Sequence, residues 1–373
     1  MEKNNRIGTV KTAIIFPKDS EAIFNNKSHR TFGGATVQLY LIAKELIQRE
    51  SVSVLIFIPD YLDKDYEKDN AFVFVRMFKE DETMVSKIYK FHKKIRKTRP
   101  DVIIQRGLTL FSCLAAAYCR LFGFRFVFMF AHDVESEGRY QASRKKCPFF
   151  SMLIRNSYLL VTQNDYQNNN IRKITNANHL HTVKKGLDFN NVKRSSRKFY
   201  DAVWIARCER WKNPEIFIEL AGRNPDLKFL MVCSKVDAHS GYFNEIAEKA
   251  SVVPNLEFRN FVMYNSIYEL ISLSRCFCLT SDQEGDWPMT VLEATASGVP
   301  ILSLNLDYGE LIAEYKAGFF CDGDIEKLHR YLRLLAEDAD LLIEMGQNAV
   351  KYVYENHNIK DNVSKLLEIS NYS

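Results

Sequence analysis

Along most of this chain, short apolar runs alternate with longer stretches in which apolar residues recur every three or four positions. Runs at Thr12 to Phe16, Val52 to Ile58, Phe72 to Val75, Val102 to Gln105, Arg125 to Phe130, Leu159 to Thr162 and His181 to Lys184 predict buried strands. The stretches between them predict helices. One opens at Gly33 and Gly34 and carries Val37, Leu41, Ile42 and Leu46 on one face. A second series begins at Tyr200, with strands at Ala202 to Ile205, Lys228 to Val232, Leu256 to Phe258, Cys276 to Leu279, Ile301 to Leu304 and Gly318 to Phe320. Helices are expected from Pro214, Phe243, Ser266 and Pro288, and the last fifty residues read as helical. Strand and helix in strict alternation predict two α/β domains, each a doubly wound parallel sheet. The polar, basic segment Lys193 to Phe199 reads as the connection. The expected division is residues 1–193, a linker at 194–199, a second domain at 200–355, and a last helix at 356–373 with the option of crossing back to the first domain.

One stretch, SDQEGDWPMTVLEATASGVP from Ser281 to Pro300, joins two predicted strands through a single helix. Pro288 suits its first turn, where the missing N–H is no loss, and Gly298 suits its end, where a left-handed residue is wanted. A loop at the carboxyl end of a parallel strand, feeding a helix with free leading amides, is where α/β sheets bind phosphate. Glu284 and Glu293 bracket that helix start, and a carboxylate repels phosphate. They suit hydroxyls better, and a ligand with both phosphates and hydroxyls is a nucleotide sugar. The alternative is plainer: Glu293 as an exposed first-turn acid and Glu284 as an ordinary loop carboxylate.

At 373 residues the chain is long enough for two cores. No apolar run nears the roughly 18 residues that a membrane span needs, and the polar start MEKNNR carries no secretory core, so a cytoplasmic location is expected. Eight cysteines without CxxC spacing read as reduced core residues. The net charge of +5 hides an asymmetry: residues 1–200 hold 35 Lys and Arg against 19 Asp and Glu, and the remainder holds 16 against 27. A basic first half suggests an anionic partner, and the basic amphipathic run Met84 to Arg99 is either a solvated surface helix or a membrane-docking one. RKKCPFF, Arg144 to Phe150, adds basic residues beside aromatics and favours peripheral attachment to an anionic membrane. Nucleic acid is excluded as a partner, since no reading module is present.

In VWIARCERWKNPEIF, Arg207 ends a predicted strand and Lys212 precedes a helix opened by Pro214. An Arg fork and a mobile Lys so placed form a natural diphosphate clamp. Taken with FGGATVQLYLIAKEL, FAHDVE, VTQNDYQ, VKKGLDF and the Glu284 to Glu293 segment, the chain resembles the retaining glycosyltransferases of family 4 over nearly its whole length. That resemblance implies the GT-B fold, two Rossmann-like domains facing across a cleft. It implies donor-diphosphate contacts from Arg207 and Lys212 and from the amides of Met289, Thr290 and Val291. Glu293 would hold the ribose, and Glu284 the sugar at its reacting carbon. Gly33 and Gly34 would admit the donor phosphates, and His132 would touch the transferred sugar or the acceptor. Two departures stand out: Ala206 occupies the family's glycine place, and eight residues rather than seven separate the two glutamates, so Asp286 competes with Glu284 for the first acidic role.

The expected function is a metal-independent, cofactor-free retaining transfer of a sugar from a UDP- or GDP-sugar to a glycan or lipid-linked acceptor, in cell-surface polysaccharide or glycoconjugate synthesis. The rivals are a non-hydrolysing sugar-nucleotide epimerase of the same fold and an inactive family member acting as a binding subunit.

Overall fold

A computed structural model describes residues 9–25, 32–61, 72–175, 177–236 and 240–370, and the polar start Met1 to Arg6 lies outside them. The apolar runs become two all-parallel sheets. In the first, β1 (Val10–Ile15), β2 (Val52–Ile58), β3 (Val73–Arg76), β4 (Val102–Arg106), β5 (Arg125–Met129), β6 (Leu159–Thr162) and β7 (Leu180–Thr182) lie in the order β3-β2-β1-β4-β5-β6-β7. In the second, β8 (Tyr200–Arg207), β9 (Phe229–Ser234), β10 (Leu256–Arg259), β11 (Ser274–Leu279), β12 (Ile301–Ser303) and β13 (Gly318–Phe320) lie in the order β10-β9-β8-β11-β12-β13. Helices on both faces explain why strands such as β4 and β6 are buried at every position. Winding reverses between β1 and β4 in one sheet and between β8 and β11 in the other. Loops leaving the carboxyl ends of those strand pairs must diverge, which leaves a crevice where α/β sheets hold ligands.

The chain divides into Met1–Gly186 with Ile359–Ser373, and Leu187–Asn358. The last helix, Ile359–Ile369, belongs to the first unit. It packs on the helix Gly34–Ile47, the Asn362 side chain donates to the Lys184 carbonyl at 2.9 Å, and Arg49 donates to the Lys360 carbonyl at 3.2 Å. Only glycine fits at 186, since a Cβ there would stand 2.7 Å from the Ile359 Cα. The stretch read as a linker is laid onto the second unit. Arg194 donates to the Ala296 carbonyl and Lys198 to the Ser272 carbonyl, each at the C-terminal end of a helix, where a cation is favoured. Small boundary shifts accompany these: the helix expected from Phe243 starts at Ser240, and Pro288 caps its helix from outside rather than entering the first turn. All eight cysteines are free thiols, seven of them buried. Among the described residues no helix is long and apolar enough to cross a membrane.

Two glycines set how closely the helix Met289–Ala296 lies against Ala339–Asn356. Gly298, at φ +69, ends the first helix, and a Cβ on Gly346 would stand 2.6 Å from the Gly298 carbonyl oxygen. Gly346→Ala is therefore expected to destabilise the protein by about 2 kcal/mol through overpacking, offset by at most ~1 kcal/mol of helix propensity. Gly222→Ala, in open space at the end of another helix, should cost nothing. Urea unfolding of both variants checks this, and equal stability of the two would contradict it.

Candidate active site

The second unit builds its site at the switch between β8 and β11. Arg207 is the last residue of β8, and the chain then turns through Arg210–Lys212 to Asn213, held in a left-handed conformation at φ 48 ahead of Pro214. The loop after β11 is tied to that turn by hydrogen bonds running both ways. The Thr280 hydroxyl donates to the Lys212 carbonyl at 2.6 Å, the Asp282 amide donates to the Trp211 carbonyl at 2.9 Å, and the Asn213 side chain donates to Asp282 Oδ1 at 2.6 Å and to the Thr280 carbonyl at 3.0 Å. Trp204 Nε1 donates to the Thr280 hydroxyl from below, at 2.9 Å.

On this laced frame the Lys212 ammonium pairs with the Glu284 carboxylate, which also accepts from the Ser281 hydroxyl at 2.7 Å. Both side chains are nearly buried, so burial pulls the Lys212 ammonium below its ordinary value while Glu284 opposes the shift. Arg207 stands beside them, its guanidinium 3.2 Å from Glu209 and partly exposed. Two residues assigned separate tasks from the sequence, Lys212 for diphosphate and Glu284 for sugar, are thus direct partners. Asp286 takes a backbone φ of 153, and its charge is felt by the Tyr352 phenol. Of the two acids that compete for the first position, Glu284 is paired with Lys212.

Helix Met289–Ala296 follows at once. The Val291 and Leu292 amides already donate to the Pro288 carbonyl, at 3.1 and 3.2 Å, so the leading amides left for an outside acceptor are those of Met289 and Thr290. Glu293 is not the exposed acid of the plainer reading. It is 1% exposed, and one carboxyl oxygen has no hydrogen-bond partner. Burial pushes its carboxyl up to about 8, with the nearby Tyr264 opposing, so the group is largely protonated at neutral pH.

In the first unit, Gly33 precedes the helix Gly34–Ile47, as the glycine pair predicts, but its amide donates to Asp19 Oδ2 at 2.7 Å and Thr36 Oγ1 donates to Asp19 Oδ1 at 2.6 Å. The amide of a glycine expected to admit the donor phosphates is therefore held by the chain's own carboxylate, which sets a negative charge at the helix start. His132 is exposed at the carboxyl end of β5. Its loop is clamped by Glu135, whose carboxylate accepts from the Ala131 amide at 2.7 Å and the Leu108 amide at 2.8 Å, and whose burial raises its pKa. Asp133 accepts from the Gln167 side chain at 2.8 Å, and Arg106 donates to Gln163. Asp19, Glu135 and Tyr264 escaped the sequence reading. The two acids carry a usable signal, a carboxylate in a short loop soon after a buried strand, whereas Tyr264 carries none.

Comparison with known proteins agrees with the geometry. Residues 188–352 match the family model described as Glycosyl transferases group 1, nearly the whole of the second unit. A Haemophilus influenzae protein described as an uncharacterized glycosyltransferase is 25% identical over 194 residues, 50% of this chain and 51% of that protein, so the chain spans about half the length of the curated relative it matches. The Anabaena protein Alr3699/HepE, solved in complex with UDP and glucose, has a TM-score of 0.75 at 15% identity, covering 96% of this chain and 98% of its own. Sucrose-phosphate synthase from Thermosynechococcus elongatus has a TM-score of 0.78 at 14% identity, covering 97% and 98%. At such identities the likeness establishes the fold, which is GT-B, and the second unit carries a glycosyltransferase domain.

Glu293 sets a pH dependence. A carboxyl whose folded value stands near 8, above its ordinary 4.5, contributes stability that is full below about 4.5 and lost as pH rises to about 8. The loss should be on the order of a few kcal/mol. Glu293→Gln copies the neutral acid and should flatten that slope. Urea unfolding of both proteins at pH 5, 6.5 and 8 checks it, and parallel slopes would contradict it.

Proposed function

We propose that the protein is a retaining glycosyltransferase that moves a sugar from a UDP- or GDP-sugar to a glycan or lipid-linked acceptor in cell-surface polysaccharide or glycoconjugate synthesis. The observation that carries the reading is the cluster at the β8 and β11 carboxyl ends: Arg207, Lys212 with Glu284, the Met289 and Thr290 amides, and Glu293 with an oxygen still unmet. UDP in the Anabaena structure makes UDP-sugars the first donors to try.

As the bond from the anomeric carbon to the diphosphate breaks, negative charge collects on the β-phosphate. In this reading Arg207, Lys212 and the helix start stabilise it, and no metal ion is required. The acceptor oxygen bonds to the same face of the carbon, and its proton passes to the leaving phosphate. Glu284 steadies the sugar, Glu293 the ribose hydroxyls, and His132 the transferred sugar or acceptor. Incubation with UDP- and GDP-sugars, with and without oligosaccharide or lipid-linked acceptors, tests this. Nucleoside diphosphate should be released only with acceptor, EDTA should leave the rate unchanged, and Arg207→Ala or Lys212→Ala should lower kcat/KM by about 100-fold or more. An epimer formed from the donor alone, or full turnover in both variants, would overturn the reading.

Peripheral attachment to the cytoplasmic face of a membrane belongs to the same proposal. In the helix Met84–Thr98 Phe91 and Ile95 are buried, but Val85 and Tyr89 are 82% and 57% exposed, and Lys93 lies over the Tyr89 ring. His92 contacts Phe122, which with Leu121 at 77% exposure adds apolar surface among the basic residues. Such a face suits anionic lipid. The protein should float with anionic vesicles, not with neutral ones, and should be released by about 1 M salt, which shortens screening to ~3 Å. Negligible binding to both vesicle types would sink it.

A further inference from the structure

Between Glu284 and Glu293 the chain carries one residue more than the pattern it resembles, and within that stretch Trp287 has a distinct seat. The Trp287 ring lies 4.4 Å from Tyr308, 5.3 Å from Tyr352 and 5.6 Å from His357, centroid to centroid. Tyr352 and His357 are each 1% exposed and hydrogen-bonded to one another at 3.3 Å, and Tyr315 packs edge-on against Tyr352 at 5.1 Å. Trp287 is therefore seated on rigid aromatic packing at the end of the helix Ala339–Asn356.

The loop Ser281–Pro288 is thereby fastened at both ends. Its first half is held through Asp282 and Glu284 to the turn after β8, and its second half through Trp287. Between these fixed points Asp286 is drawn to φ 153, a backbone region that L side chains rarely adopt, as in a strap held taut. Directly after Trp287 come Pro288 and the amides of Met289 and Thr290. An amide N–H lies in the plane of its peptide unit, so a seat that fixes the backbone at Trp287 bears on where these donors point.

We infer that Trp287 is a positioning residue for the nucleoside diphosphate: its seat on Tyr308, Tyr352 and His357 holds the leading amides of the Met289 helix and the Glu284 loop in the geometry that binds the diphosphate. The inference rests on the proposed function, because it names what organises that same site. It also makes Trp287 act through the backbone that it anchors, without touching the ligand.

UDP and GDP are titrated calorimetrically into wild type, Trp287→Ala, Trp287→Phe and Tyr308→Leu, and thermal midpoints are read on the same samples. If wild type binds neither nucleotide, the proposed function has failed before any variant is compared, and this inference falls with it. Given wild-type binding, Trp287→Ala should raise Kd about 10-fold or more and raise donor KM in step, while Trp287→Phe, which restores a ring to the seat, should stay within about 3-fold. Tyr308→Leu, which removes the supporting ring and keeps Trp287, should weaken binding in the same direction and keeps the test open if Trp287→Ala fails to fold. Wild-type Kd in the folded variants, even with lowered midpoints, would reduce Trp287 to a packing residue and overturn the inference.

Discussion

A lysine and a glutamate, each nearly out of water, depend on one another in the second unit, and much of its geometry follows from that dependence. Taking either charge out of solvent costs several kcal/mol, so the pair persists only because the loops that carry it are held together on every side. Thr280, Asp282 and Asn213 supply that restraint through backbone and side-chain bonds between the turn after β8 and the loop after β11. An exposed lysine in the same place would search a wide volume. Held against Glu284, its charge is fixed before any ligand arrives, which is the condition under which electrostatic stabilisation costs no reorganisation.

The helix that follows shows a second restraint of the same kind, met by shape. Gly298 and Gly346 bring two helix backbones so close that no side chain fits, and Glu293 on the first of these helices is 1% exposed. A carboxyl there prefers its proton. It thus offers both a donor and an acceptor. The two restraints lie on either side of the strap that carries Trp287.

The strand series was legible because parallel strands covered on both faces must be apolar throughout: Val52–Ile58, Leu159–Thr162 and Gly318–Phe320 have the expected bounds to the residue. The placement of Arg207 at a strand end, Lys212 in the turn after it, and Glu284 and Glu293 before and within one helix was legible because the alternation of strands and helices fixes those boundaries. What stayed hidden was pairing. Nothing in the spacing says that Lys212 meets Glu284 across 72 positions, that Asp19 reaches Gly33, or that basic residues at 194 and 198 bond helix ends rather than forming a free linker. These are tertiary contacts, set by how loops fold over the sheet edge. Trp287 marked an irregularity in the motif, but the aromatic residues that receive it lie as far away as His357.

The hold of Asp19 on the first unit's glycine turn has a consequence of its own. Electrostatically, that helix start already has its counterion, supplied from a loop fourteen positions upstream. An arriving phosphate would meet a rival of the same sign, and could succeed only by evicting it or by settling to one side. The two sheets, alike in topology, are therefore unequal in what their crevices offer an anion: one answers its own partial positive charge internally, and the other leaves that charge outstanding.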